Sequence, residues 1–127
     1  MRPLVIVDGA NVVGSVPDGW WRDRLGAARR LRNSLASLPE QGLPGVPGPV
    51  EVVLVVEGAA RPLAAEDSLV RVVAAPRSGD DTIVDLVAAE PERHRIVVTA
   101  DRGLRDRVQT LGAAVTGPST VRPPRSQ

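Results

Sequence analysis

Residues 4–9 read Leu4-Val5-Ile6-Val7-Asp8-Gly9. Four large apolar side chains in succession, with no polar residue between them, describe a strand buried on both faces, as in a parallel sheet, and Asp-Gly ends it in a loop. The pattern returns along the chain: Val50–Val56 is nearly all β-branched, Leu69–Ala74 repeats it, Ile96–Thr99 is a fourth such run and Ala113–Thr116 a shorter fifth. These are the expected strands.

Between them lie stretches with a different period. From Trp20 to Leu38, the residues Leu25, Ala28, Leu31, Leu35 and Leu38 recur three or four apart among arginines, which predicts a helix with one apolar stripe and Asp18 as its cap. Gly79–Glu90 carries Ile83, Leu86 and Val87 at helical spacing behind an acidic opening. A last helix opens at Asp101, shares a face among Leu104, Val108 and Leu111, and stops at Gly112. Residues after Asp8 read as loop as far as Gly19, Glu57–Asp67 as loop or a poor short helix, and the Pro- and Gly-rich stretch Pro39–Pro49 as an irregular surface connection. Strands alternating with helices imply right-handed crossovers, hence a three-layer α/β domain with a central parallel sheet. One domain is expected over 1–117, with Pro118–Gln127, rich in proline, as a disordered tail.

Composition narrows the chemistry. All 16 basic residues are arginine, so mechanisms that need a lysine are excluded, among them the phosphate-binding loop lysine and Schiff-base catalysis. With no cysteine and a single histidine, His94, there is no thiol nucleophile, disulfide or Cys/His metal site. Aromatic residues are 2% of the chain, Trp20 and Trp21 alone, too few for a stacking platform of rings. No apolar run is long enough to be a secretory leader or a membrane span, so a cytoplasmic location with no membrane partner is expected.

What remains is acid. Asp8 ends the first strand and Asp101 follows the fourth, and in a parallel sheet such ends share one edge. Asp80 and Asp81 open the helix after the third strand and so start on that edge; Asp85 is one turn further along the Asp81 face. Asp106, five residues past Asp101, sits about 140° round its helix. Alone, Asp80 and Asp101 would be helix caps, Asp81 a partner of the helix dipole and Asp8 a turn residue. Together, without lysine or cysteine, they would repel one another unless a cation stood among them, and hard oxygen donors select Mg²⁺ or Mn²⁺. Such an ion suits hydrolysis of a phosphodiester. Asn11 reads either as a turn asparagine or as a partner of Asp8 or of the scissile phosphate. Ser78 and Thr99 read as plain loop and strand-end residues, with orientation of water or carboxylate as the alternative.

Arginines line the polar side of the first long helix and flank the acidic openings, where Arg77 and Arg102 are the candidates to meet a phosphate backbone. A net charge of +1 makes this signal weak. Trp20 and Trp21 are adjacent and point in different directions; core packing is the expectation for both, with one of them covering the site entrance or stacking on a base as the alternative.

Three segments, Val7-Asp8-Gly9-Ala10-Asn11-Val12-Val13-Gly14, Gly79-Asp80-Asp81-Thr82-Ile83 and Val98-Thr99-Ala100-Asp101-Arg102-Gly103-Leu104-Arg105-Asp106, fall in order at strand ends. In this they resemble the NYN division of the PIN-like nucleases, in particular the bacterial YacP-like type. The resemblance implies a PIN-like sheet of strand order 3-2-1-4-5, with Asp8 beside Asp101. It also implies that Asp8, Asp81 with Asp80, and Asp101 hold Mg²⁺ or Mn²⁺ for RNA cleavage, that Asp106 is a further acid, and that Asn11 matches the family asparagine. The expected function is therefore a metal-dependent ribonuclease with RNA as partner and homo-oligomerisation open. The competing expectation is a non-catalytic RNA-binding or ribosome-associated adaptor on the same fold. A haloacid-dehalogenase-like phosphatase also begins with an aspartate after the first strand, but Ala10 stands where its second aspartate belongs and its lysine is missing.

Overall fold

The computed structural model describes residues 1–122. Five parallel strands form the central sheet: β1 (Leu4–Asp8), β2 (Glu51–Val56), β3 (Arg71–Ala74), β4 (Arg95–Val98) and β5 (Ala114–Thr116). Their order across the sheet is β3-β2-β1-β4-β5, the 3-2-1-4-5 arrangement expected. β1 is central, with Ile6 in register with Val53 on one side and Val97 on the other.

Because successive side chains of a strand face opposite ways, the unbroken apolar runs feed two separate cores. Val5, Val7, Leu54 and Val98 face one layer, made by α1 (Gly9–Gly14) and α2 (Arg24–Ser34) through Val12, Val13, Ala28 and Leu31. Leu4, Ile6, Val53, Val55 and Val97 face the other, made by α4 (Gly79–Ala88) through Ile83 and Val87 and by α5 (Arg102–Thr110) through Leu104 and Val108. Full burial of each such side chain contributes about 1.5–3 kcal/mol, and Leu54→Ala, which would open a hole in the middle of the sheet, should cost about 2–5 kcal/mol. At the start of β4, buried Arg95 donates to the carbonyls of Val87 (2.6 Å) and Leu111 (2.8 Å), fastening the ends of α4 and α5. That cation sits at the edge of the sheet opposite the acids.

The structure corrects several boundaries. The stretch after Asp8 is not loop throughout: α1 forms directly, although glycines bound it and no side chain caps it, because burying Val12 and Val13 outweighs poor local propensity. Gly9 makes this junction possible, since a Cβ there would lie 2.5 Å from the Val55 carbonyl oxygen. The expected helix from Trp20 to Leu38 is divided. A 3-10 turn covers Trp20–Arg22, Asp23 leaves helical geometry and accepts from the Gly26 amide at 2.9 Å, and α2 starts there. Asp23, not Asp18, is the cap. Pro39–Pro49 is also partly regular, with α3 (Leu38–Gln41) followed by a small antiparallel hairpin, Gly42–Leu43 with Val46–Pro47. The third strand begins at Arg71, with Leu69 left exposed.

Residues 118–122, placed in a disordered tail by the sequence, are held against the body. Pro118–Thr120 is a 3-10 turn, Val121 is buried, and the Arg122 guanidinium donates to the Val13 carbonyl (2.6 Å) and pairs with Asp18. The rest of that expected tail, 123–127, lies outside the described residues.

Candidate functional site

The carboxyl ends of the strands gather the acids on one edge, as the topology requires. Asp8 closes β1 and is 4% exposed. Its Oδ2 accepts a 2.9 Å hydrogen bond from the hydroxyl of Thr99, itself fully buried just past β4, and the same hydroxyl oxygen accepts from the Asp101 amide at 3.1 Å. Asp101 caps α5 by accepting from the Leu104 amide at 2.9 Å. One oxygen holds the helix, and the residue stays exposed at the edge. Asn11, on α1, accepts from the Ala100 amide through Oδ1 at 2.8 Å. Its side chain thus fastens the 99–101 loop to α1 and makes no hydrogen bond to Asp8, one of the roles expected of it.

Electrostatics marks the same residues. The Asp8 carboxyl is pushed up from 3.8 to about 6, chiefly by burial; the negative charges of Asp80 and Glu57 add to the rise. The Thr99 hydroxyl opposes it, as does the Asn11 backbone amide. Asp80 at the start of α4 is also raised, first by desolvation, then by Asp101, Glu57 and Asp81, with Arg107 pulling the other way. Asp8, Glu57, Asp80 and Asp101 are therefore mutually repelling charges in partly desolvated surroundings, which costs the folded state free energy. Such perturbed groups concentrate at functional sites.

Asp81 points elsewhere. It forms an ion pair with Arg107 at 3.1 Å on the surface, its side chain 66% exposed. Asp106 is exposed, and its side chain makes no hydrogen bond or ion pair among the described residues. Arg77 and Arg102 are exposed and unpaired among the described residues, whereas Arg29 and Arg32 of the basic helix face are spent on Glu66. His94 is an exposed loop residue. The sequence reading missed Glu57, which follows β2 and brings its Oε1 within 3.1 Å of where a Cβ on Gly79 would stand. Its position just after an interior strand, on the edge shared with Asp8, was the available signal. Thr99, read as a plain strand-end residue, is instead the link between Asp8 and Asp101.

The donors suit a hard divalent cation in kind, all being carboxylate oxygens with no nitrogen or sulfur competitor. Among the described residues, no three acidic or His side chains converge as a ready-made cage. Mg²⁺ does not require one, since it is commonly held by one or two carboxylates, keeps several waters and completes its shell with substrate phosphate. The residues present fit such a site, with Asp8 and its repelling neighbours as the donors.

Beside the acids opens a cleft of about 300 Å³, between the start of α1, the face of α2 and the residues after β2. Gly9 and Glu57 border it on the acidic side, Trp20 and Arg24 on the other. The Arg24 guanidinium carbon lies 5.4 Å from the Trp20 ring centroid, a cation–π distance. Trp20 packs partly buried against the core of this layer, in line with the core packing expected, whereas Trp21 meets it edge to face and is exposed, contrary to that expectation.

No family model matches the chain, and no curated protein matches it. Two solved structures share its fold: crystal structures of Rae1 (YacP) from Bacillus subtilis, one of the protein itself and one of a point mutant. Each is 19% identical in sequence with a TM-score of 0.73, and each match covers 94% of this chain; 71% and 72% of the respective YacP chains are covered. The fold is thus of the YacP type, in agreement with the resemblance of the three strand-end segments.

Proposed function

We propose that the chain is a metal-dependent ribonuclease hydrolysing RNA phosphodiester bonds at the Asp8 edge of the sheet. The observation that carries this reading is a buried carboxylate, Asp8, surrounded by like charges and positioned by Thr99. A fold under no functional demand would place an apolar or neutral residue there, because desolvating an unpaired carboxylate costs several kcal/mol. Asp8, Asp80 and Asp101 would hold Mg²⁺ or Mn²⁺, with Asp81 and Asp106 available at the rim. Such an ion, when bound, lowers the pKa of water and neutralises charge growing on the phosphate.

The chain's own groups then divide the work. Thr99 keeps one Asp8 oxygen engaged so that the other is free toward the edge, Asn11 holds the 99–101 loop in place, and the Asp101 cap fixes its carboxylate relative to α5. Arg77 and Arg102 supply the positive rim that an RNA backbone needs before it nears so many acids. The setting assigned is the cytoplasm; no helix among the described residues is long and apolar enough to cross a membrane.

A second reading, a non-catalytic RNA-binding or ribosome-associated adaptor, draws on one observation, the lack of a preformed three-carboxylate cage among the described residues. Labelled single-stranded RNA incubated with Mn²⁺ and either wild type or Asp8→Asn separates the two. Cleavage by the wild type that vanishes in the variant, with RNA binding kept, supports the nuclease. Binding without cleavage by the wild type supports the adaptor, and equal cleavage by both removes Asp8 from the chemistry.

A further inference from the structure

The cleft beside the acids has opposite charges on its two sides that do not meet. Arg24 and Glu57 both line it, yet neither side chain makes a hydrogen bond or ion pair among the described residues, so a guanidinium and a carboxylate both keep unspent hydrogen-bonding capacity toward one space. The remaining lining is small or apolar, including Gly9, Val13 and Val56, with the indole of Trp20 on one side. A volume of about 300 Å³ is at the small end of the range for ligand sites. The matching ligand is flat and aromatic, with acceptors on one edge and adjacent donors on another.

Among the nucleobases that description fits guanine. Its O6 and N7 are the acceptors a guanidinium engages in bidentate fashion, and its N1–H and N2–H₂ lie side by side, the pair of donors a carboxylate can take with both oxygens. Adenine, cytosine and uracil each lack one of these two edges. Stacking on an indole or an arginine plane is how proteins hold unpaired RNA bases. Glu57 sets the register: it borders the cleft, and its charge is felt at both Asp8 and Asp80.

We propose that this cleft binds the guanine of a single-stranded RNA, read by Arg24, Trp20 and Glu57, beside the phosphodiester presented to Asp8. The inference rests on the nuclease reading for the polymer to which the base belongs; the base pocket itself does not require catalysis. Trp21→Phe leaves Trp20 as the one tryptophan of the chain, and Trp21 is 51% exposed, so that background should fold.

Quenching of Trp20 fluorescence is then titrated with GMP, AMP, CMP and UMP in EDTA, so that the phosphate is constant and no metal contributes. The expected result is a GMP affinity about tenfold above the others, within the range for a bidentate pair, with that preference lost in Glu57→Gln and in Arg24→Gln. Equal affinities, or no quenching by any nucleotide, overturn the guanine pocket. RNA cleavage with Mn²⁺ read in parallel keeps the two ideas apart. Cleavage without GMP preference sinks the pocket alone, and GMP preference without cleavage sinks the nuclease alone.

Discussion

One hydroxyl joins Asp8 to Asp101: Thr99 Oγ1 donates to Asp8 Oδ2 at 2.9 Å and accepts from the Asp101 amide at 3.1 Å. Residues far apart in the chain are thereby locked to a common point at the centre of the sheet edge. Removing the hydroxyl with Thr99→Val should leave a buried carboxyl without its donor, costing about 1–3 kcal/mol. The Asp8 pKa should climb further, moving the acid limb of the cleavage pH profile to higher pH. Thr99→Ser should restore both stability and profile; a Val variant with an unshifted profile would deny Thr99 its positioning role.

The raised pKa of Asp8 makes stability depend on pH in a definite direction. Because the folded carboxyl titrates near 6 and the ordinary value is 3.8, the folded state keeps a proton that the unfolded chain has released between those values. The Asp8 contribution to stability in metal-free buffer is therefore full below about pH 4, falls as pH rises through that window and levels off above it, by at most about 3 kcal/mol. Asp8→Asn, unable to ionise, should lose this decline and melt higher than wild type at pH 7.5 in EDTA. Chemical denaturation across pH 4–8 checks it, and a variant less stable than wild type at pH 7.5 would contradict it.

Legibility of this molecule from its sequence followed a physical divide. The sheet was readable because strands buried on both faces are apolar along their interior, as Val52–Val56 and Leu4–Val7 are. The acids at strand ends were readable because topology alone brings Asp8 and Asp101 to one edge. α1 was hidden because its stability comes from packing Val12 and Val13, not from caps or propensity. Asp81 was read ahead of Asp80 as the acid of the site, and adjacent helix-opening residues give no sequence signal of which way each side chain turns. Thr99 needed three dimensions, since nothing local to it announces a partner on another strand, whereas Glu57 stood at a strand end, where the same topological argument could have found it.

That divergence of Asp80 from Asp81 has a measurable consequence. Asp81 is in a solvent-exposed pair with Arg107, worth about 1 kcal/mol or less, whereas Asp80 is coupled to Asp101 and Glu57. Asp80→Ala should reduce Mn²⁺-dependent cleavage at least tenfold more than Asp81→Ala, at similar stability. Equal losses would contradict the different roles given to Asp80 and Asp81.

RNA affinity should carry the signature of the arginine rim. Replacing Arg77 and Arg102 together with alanine should flatten the slope of log K against log salt by roughly 1.4 for single strands, about 0.7 for each of the two lost phosphate contacts. Fluorescence anisotropy over a salt series measures it; an unchanged slope would place the RNA elsewhere on the surface.

The central claim, that a divalent ion sits among Asp8, Asp80 and Asp101, is tested most directly by anomalous diffraction from crystals soaked in Mn²⁺. A manganese peak at ordinary coordination distance, about 2 Å, from an Asp8 oxygen and from at least one oxygen of Asp80 or Asp101 is the predicted result. Well-diffracting crystals with no manganese at that edge, soaked with Mn²⁺ at neutral pH, would contradict it.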